Sequence, residues 1–223
     1  MGDLALASMI DHTLLKPGAT REELTQLCEE ARRYGFATVC ISPANVAFCA
    51  RLLEGSGTKP ISVAGFPSGT TPTAAKVAEA REAITAGAAE IDMVLHVGRL
   101  KAKDYAYVES DIREVVQAAR PRPVKVILET GALERDEKVI ACALAKAAGA
   151  AFVKTSTGFG PGGATVEDVA LLRRIVGDQM GVKASGGVRT AADARRLIAA
   201  GANRLGASAS VAIVTGAAPD GGY

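Results

Sequence analysis

Three times in this chain a helix-like segment ends in Ala-Gly directly before an apolar run, at Ala86-Gly87, Ala148-Gly149 and Ala200-Gly201. A glycine that closes a helix just ahead of a strand is a joint, and a joint that recurs implies a repeated unit. Short aliphatic runs read as buried strands at 9–13, 37–41, 61–65, 90–95, 124–129, 151–155, 182–185 and 204–207. Segments of helical spacing alternate with them. One starts behind Thr20, where Glu23 completes a capping box, and stops at Tyr34-Gly35. Others cover 45–53, a stretch ending at 86, 105–119, 135–148, 166–176, 191–200 and 210–214. Eight strand–helix units without a break in composition predict an α/β fold of the (β/α)8 TIM-barrel type. One domain is expected over 1–223, with a flexible, glycine-rich tail at about 215–223. An open doubly wound sheet is the competing arrangement, and the repeated joint favours the barrel.

Composition narrows the function. The net charge of +2 is too small to imply nucleic acid, and the pairs Arg32-Arg33, Arg173-Arg174 and Arg195-Arg196 read as solvated helix faces. No run approaches the roughly 18 apolar residues of a membrane span, so no membrane partner and a cytoplasmic location are expected. Cys28, Cys40, Cys49 and Cys142 lie in apolar surroundings without a C-x-x-C pair, which predicts buried free thiols. Only His12 and His96 are present, and no cysteine–histidine spacing forms a ligand set, so neither a metal nor a cofactor is expected.

The candidate chemistry lies in or just after the strands: Asp11, Cys40, Asp92, Glu129, Lys154 and Lys183. A lysine is costly to bury. Lys154 and Lys183 nevertheless occupy equivalent places in two consecutive strand–turn units, so in a parallel barrel both face one pocket. Each ammonium disfavours the charge of the other, and burial acts in the same direction, so one amine can titrate near neutrality. A neutral amine adds to carbonyls, and the resulting iminium accepts electrons from a breaking carbon–carbon bond. For either lysine alone, an ion pair with Asp92 or Glu129 is the alternative. Asp92, between Ile91 and Met93, reads as an inward carboxylate that orients a lysine or relays protons, or as a purely structural ion pair.

Glycines supply a second signal. The run Gly158-Phe-Gly-Pro-Gly-Gly163 matches a dinucleotide fingerprint literally. It comes late in the chain, and Lys183 stands near where an acidic ribose ligand is expected. Ser185-Gly186-Gly187 and Gly206-Ala-Ser208 follow the seventh and eighth strands, where barrels commonly bind phosphate through backbone amides.

With these residues in view, the chain resembles the deoxyribose-phosphate aldolase family of class I aldolases. The resemblance rests on Ile10-Asp-His-Thr-Leu14, Thr38-Val-Cys-Ile41, Glu90-Ile-Asp-Met-Val94, Phe152-Val-Lys-Thr-Ser-Thr-Gly158, Val182-Lys-Ala-Ser-Gly-Gly-Val-Arg189 and Arg204-Leu-Gly-Ala-Ser208. It implies reversible cleavage of 2-deoxy-D-ribose 5-phosphate to D-glyceraldehyde 3-phosphate and acetaldehyde, and a homodimer. Lys154 would be the Schiff-base nucleophile, with Lys183 lowering its pKa and joining Asp92 in proton relay. Gly158, Gly186, Gly187, Gly206 and Ser208 would surround the substrate phosphate, Thr157 would line the site, and the terminal Tyr223 would assist proton transfer to the enamine carbon. Asp11 and Cys40 are further pocket candidates, Cys40 as a thiol open to aldehydes. Ala209 stands where some relatives carry a second serine, one hydroxyl fewer for phosphate. Another sugar-phosphate aldolase and a catalytically silent phosphate-sugar-binding barrel are the alternatives.

Overall fold

The alternation of strands and helices closes on itself. In the computed structural model, which describes residues 3–217, the strands are β1 (Ile10–Leu14), β2 (Thr38–Ile41), β3 (Lys59–Ala64), β4 (Ile91–Val94), β5 (Val124–Ile127), β6 (Phe152–Lys154), β7 (Gly181–Ser185) and β8 (Arg204–Ala207). All pairs are parallel and follow chain order, and β8 returns to β1 with Asp11 opposite Gly206, which excludes the open sheet. The helices are α1 (Leu4–Ala7), α2 (Arg21–Tyr34), α3 (Val46–Leu52), α4 (Thr73–Thr85), α5 (Val97–Lys101), α6 (Tyr105–Ala119), α7 (Arg135–Ala147), α8 (Val166–Val176), α9 (Ala191–Ala199) and α10 (Ser210–Thr215). Of the tail, residues 218–223 lie outside the described residues, and Tyr223 with them.

Successive side chains along a strand point to opposite faces, and here the two faces carry different chemistry. Val39, Ile41, Ile91, Met93, Val153, Val182 and Ala184 join Leu24, Ile112 and Leu172 of the helices in one apolar layer between sheet and helices. The alternate positions face the barrel axis. There Cys40, Ile61 and Val63 form a small separate cluster with Leu15, filling the β2–β3 side. Across the axis the inward positions are fully or nearly fully buried Asp11, Asp92, Lys125, Lys154 and Lys183.

Local chemistry explains the helix ends. Thr20 accepts from the Glu23 amide while the Glu23 carboxylate accepts from the Thr20 amide, the predicted capping box. Two short helices were not legible as periodic segments, α1 and α5; each has one buried face at most and is set by its cap, Asp3 for α1 and His96 Nδ1 for α5. The other histidine, His12, pairs with Glu30 at 2.8 Å. Cys28, Cys40, Cys49 and Cys142 are buried free thiols, as expected. The reading of Arg173 as part of a solvated face is corrected. Its guanidinium donates to the carbonyls of Gly177, Met180 and Gly201, satisfying groups that a helix end leaves open. Strand β5 also ends two residues earlier than predicted, because Glu129 turns the chain with φ of 58°.

One buried ion pair lies outside the barrel. Lys76 of α4 is fully buried, its Nζ 2.6 Å from Asp111 of α6 and 3.0 Å from the Val94 carbonyl at the end of β4. Breaking such a pair strands a charge, whereas replacing both partners with apolar residues does not. Lys76→Met is expected to lower unfolding free energy by about 3–5 kcal/mol, and Lys76→Met with Asp111→Leu to recover most of it, as read by urea denaturation.

Candidate active site

A cavity opens at the carboxyl ends of β1, β6, β7 and β8, lined by Thr13, Leu15, Lys154, Thr157, Gly158, Phe159, Ser185, Gly186, Gly187, Val188, Arg189, Gly206, Ala207, Ser208 and Ala209. Lys154 ends its strand and stands in register with Lys183 of β7. The chain beyond the strands is stitched to hold that register. Thr155 Oγ1 donates to the Ser185 carbonyl at 2.9 Å and accepts from the Ser185 amide at 3.0 Å. Ser185 Oγ donates to the Ser156 carbonyl at 2.6 Å. The absence of a Cβ at Gly206 makes room for Lys183, whose Cε lies 2.9 Å from where a Cβ would stand.

Asp92 joins the lysines. Its Oδ2 accepts from Lys154 Nζ at 2.9 Å and from Lys183 Nζ at 2.8 Å, and its Oδ1 accepts from Lys125 Nζ at 2.8 Å. Lys183 also donates to Asp11, which accepts from Arg204 at 2.8 Å and from Thr38 at 2.7 Å. Glu90 completes the network by pairing with Lys125 and Arg204. Three carboxylates, those of Asp11, Glu90 and Asp92, thus face four cationic side chains, Lys125, Lys154, Lys183 and Arg204. Lys154 is the member of this cluster that lines the cavity. It is also the one of the four cations that, among the described residues, touches a single carboxylate, Asp92, which it shares with Lys125 and Lys183.

The titration of the cluster follows from burial and from these contacts. Burial lowers the Lys154 amine below its ordinary value; Asp92 opposes this and the Lys183 charge reinforces it. For Lys183 burial is likewise the largest influence, but Asp11 and Asp92 together outweigh it and raise its pKa. Asp92 is held well below the usual carboxylate range, burial being overcome by Lys125, Lys154 and Lys183. The site therefore presents an amine of lowered pKa beside an ammonium and a carboxylate that keep their charges.

Of the residues singled out in the sequence, Thr157, Gly158, Gly186, Gly187, Gly206 and Ser208 line the cavity with Lys154, while Asp92 and Lys183 lie buried behind it. None of the hydrogen bonds among the described residues uses the amides of Gly158, Gly186, Gly187 or Ser208. Asp11 belongs to the ionic cluster rather than to the cavity wall. Cys40 belongs to the apolar cluster; it is fully buried, and burial pushes its thiol up to about 11, which leaves little thiolate for attack on an aldehyde. The literal dinucleotide fingerprint has a packing explanation in this loop: a Cβ at Gly160 would stand 2.7 Å from the Glu129 carboxylate. Lys125 and Arg204 were missed as members of the cluster. Lys125 had the same signal as the other two lysines, a cation inside the apolar run Val124-Lys-Val-Ile127.

The family model for DeoC/LacD family aldolases matches residues 5–218. Deoxyribose-phosphate aldolase of Caldanaerobacter subterraneus subsp. tengcongensis is 57% identical over 94% of this chain and 92% of its own. The enzyme of that name from Thermococcus kodakarensis is 55% identical over 99% and 100%. Among solved structures, the deoxyribose phosphate aldolase of Aeropyrum pernix, described as tetrameric, superposes with a TM-score of 0.88 at 37% identity, covering 93% of this chain and 88% of that one.

The chain belongs to the DeoC/LacD aldolase family.

An amine adds to a carbonyl only when unprotonated, and Lys183 is the charged neighbour that shares an Asp92 oxygen with Lys154. Removing Lys183 takes away a like charge and frees the Asp92 oxygen that it shares with Lys154. Both changes favour the Lys154 ammonium. Lys183→Leu is therefore expected to raise the Lys154 pKa and move the pH profile of its reductive methylation, read by peptide mass mapping, to higher pH. An unmoved profile would show that Lys183 does not set it.

Proposed function

We propose that this enzyme is a deoxyribose-phosphate aldolase, cleaving 2-deoxy-D-ribose 5-phosphate reversibly to D-glyceraldehyde 3-phosphate and acetaldehyde. The observation that carries the reading is the buried Lys154 amine, whose one carboxylate is shared with two other lysines, in a cavity rimmed by amides that no hydrogen bond among the described residues uses. The names of relatives over 50% identical across nearly the whole chain support the same substrate.

The neutral Lys154 amine adds to C1 of the open-chain sugar, and loss of water from the carbinolamine gives an iminium. Removal of the proton from the C3 hydroxyl lets the C2–C3 bond break, its electron pair passing into the iminium to form an enamine while glyceraldehyde 3-phosphate leaves. Protonation of the enamine carbon and hydrolysis return acetaldehyde and the free amine. Lys183, held as an ammonium, supplies the proton for loss of the carbinolamine oxygen, and Asp92 orients both amines through one oxygen. Tyr223 is assigned to protonation of the enamine by resemblance alone, since it lies outside the described residues.

Phosphate recognition is assigned to the amides of Gly158, Gly186, Gly187 and Ser208 and the Ser208 hydroxyl, with Gly206 beside them. Binding there would orient the reacting end without taking part in the chemistry. The proposed route is metal-independent, because the lysine iminium itself is the electron sink. A cytoplasmic role in deoxyribonucleotide catabolism and a homodimer complete the proposal, the latter to be read from light scattering.

Borohydride reduction with acetaldehyde or deoxyribose 5-phosphate tests the central claim. A reduced adduct is expected on Lys154, and Lys154→Ala is expected to lose both the adduct and at least about a thousandfold in kcat. Folded protein that forms no adduct on any lysine would instead indicate a silent sugar-phosphate-binding barrel.

A further inference from the structure

Glu129 combines two features that neither the fold nor the amine chemistry requires. It adopts the left-handed backbone region, with φ of 58° and ψ of 60°, although it is not a glycine. Its side chain is 7% exposed and carries a carboxylate into the gap between the loop after β5 and the loop after β6. A residue held in that region is strained, and such strain persists where the surroundings fix it for a purpose.

The surroundings here are the pocket edge. Glu129 Oε2 accepts from Thr157 Oγ1 at 2.5 Å, and both carboxylate oxygens lie 3.4 Å from the Thr157 amide. The Thr157 hydroxyl, its proton committed to Glu129, accepts from the Phe159 amide at 3.0 Å. One carboxylate thus orders three consecutive residues, Thr157, Gly158 and Phe159, all of which line the cavity. The two loops are also locked backbone to backbone, since a Cβ at Gly131 would stand 1.8 Å from the Pro161 carbonyl oxygen. The Thr157 proton is committed to Glu129 by this arrangement, so the hydroxyl has no donor left for the sugar.

We propose that Glu129 is a positioning residue for the phosphorylated end of the substrate, locking the Thr157 hydroxyl so that the Gly158 amide and its neighbours stay set for an anion. The inference rests on the phosphate-site reading above and adds to it the part that organises the edge. Glu129 is not in hydrogen-bond contact with Lys154, Lys183 or Asp92 among the described residues, so its loss should bear on the phosphate end more than on the amine.

The test compares 2-deoxyribose 5-phosphate with 2-deoxyribose in the full-length enzyme and in Glu129→Gln and Thr157→Val. In both variants the preference for the phosphorylated sugar, the ratio of the two kcat/KM values, is expected to fall by about tenfold, the scale of one lost hydrogen bond to a charged group. Most of the fall should appear as a raised KM for the phosphorylated sugar. Thr157→Ser, which keeps the hydroxyl, should restore the preference. Equal losses on both sugars would overturn the inference, as would an unchanged preference. Should Glu129→Gln fail to fold, the Thr157 pair decides alone. Parent enzyme without a borohydride adduct and without cleavage of either sugar is a different outcome: it defeats the aldolase reading itself, and the positioning role with it.

Discussion

One carboxylate shared among three lysines is the interaction on which the site depends. Asp92 accepts from Lys125, Lys154 and Lys183 while fully buried, so no ammonium of the three has a carboxylate to itself through this residue. Lys183 and Lys125 are each matched again, by Asp11 and Glu90. Lys154 is not. Burial lowers the pKa of such an amine, the shared carboxylate opposes the shift and the Lys183 charge adds to it. The pKa of Lys154 thus follows from burial first and then from the charges around it, Lys183 among them.

Such a cluster can exist only where a fold offers many inward positions and few alternatives for water. The closed barrel does this because each strand contributes alternate side chains to the axis, and the apolar layer between strands and helices carries most of the hydrophobic burial separately. The axis is divided in two. Cys40, Ile61 and Val63 fill one side and the ions occupy the other. This division also explains the raised pKa of Cys40: it belongs to the filler, and burial holds its proton on.

Much of this was legible in the sequence. Strand–helix alternation with Ala-Gly joints yields the barrel, because a parallel sheet buried on both faces needs continuous aliphatic runs and the period-2 signal then survives only as a charge inside such a run. Lys154, Lys183 and Asp92 stand out by that contrast. Lys125 shows the same contrast and was overlooked because no turn glycines or hydroxyl residues follow it directly. What no local pattern encodes is which charge pairs with which. Asp11 and Lys183 are 172 residues apart, and only the closure of β8 on β1 brings them together. The turn at Glu129 was illegible for a related reason: its conformation is imposed by a partner on the next loop, whereas its own neighbourhood reads as more strand.

The two ends of the cavity are built on different principles, and this separates what each can tolerate. At the amine end every atom is part of one network, so a change in Lys183 or Asp92 is felt by Lys154 through shared oxygens. At the rim the candidate anion donors are main-chain amides, whose identity does not change when a side chain does. Ala209, which stands where some relatives carry a second serine, removes a hydroxyl from that rim without removing an amide. The rim is therefore sensitive to backbone placement more than to side-chain chemistry. That is the reason a buried carboxylate one loop away, with no access to substrate, can matter to it.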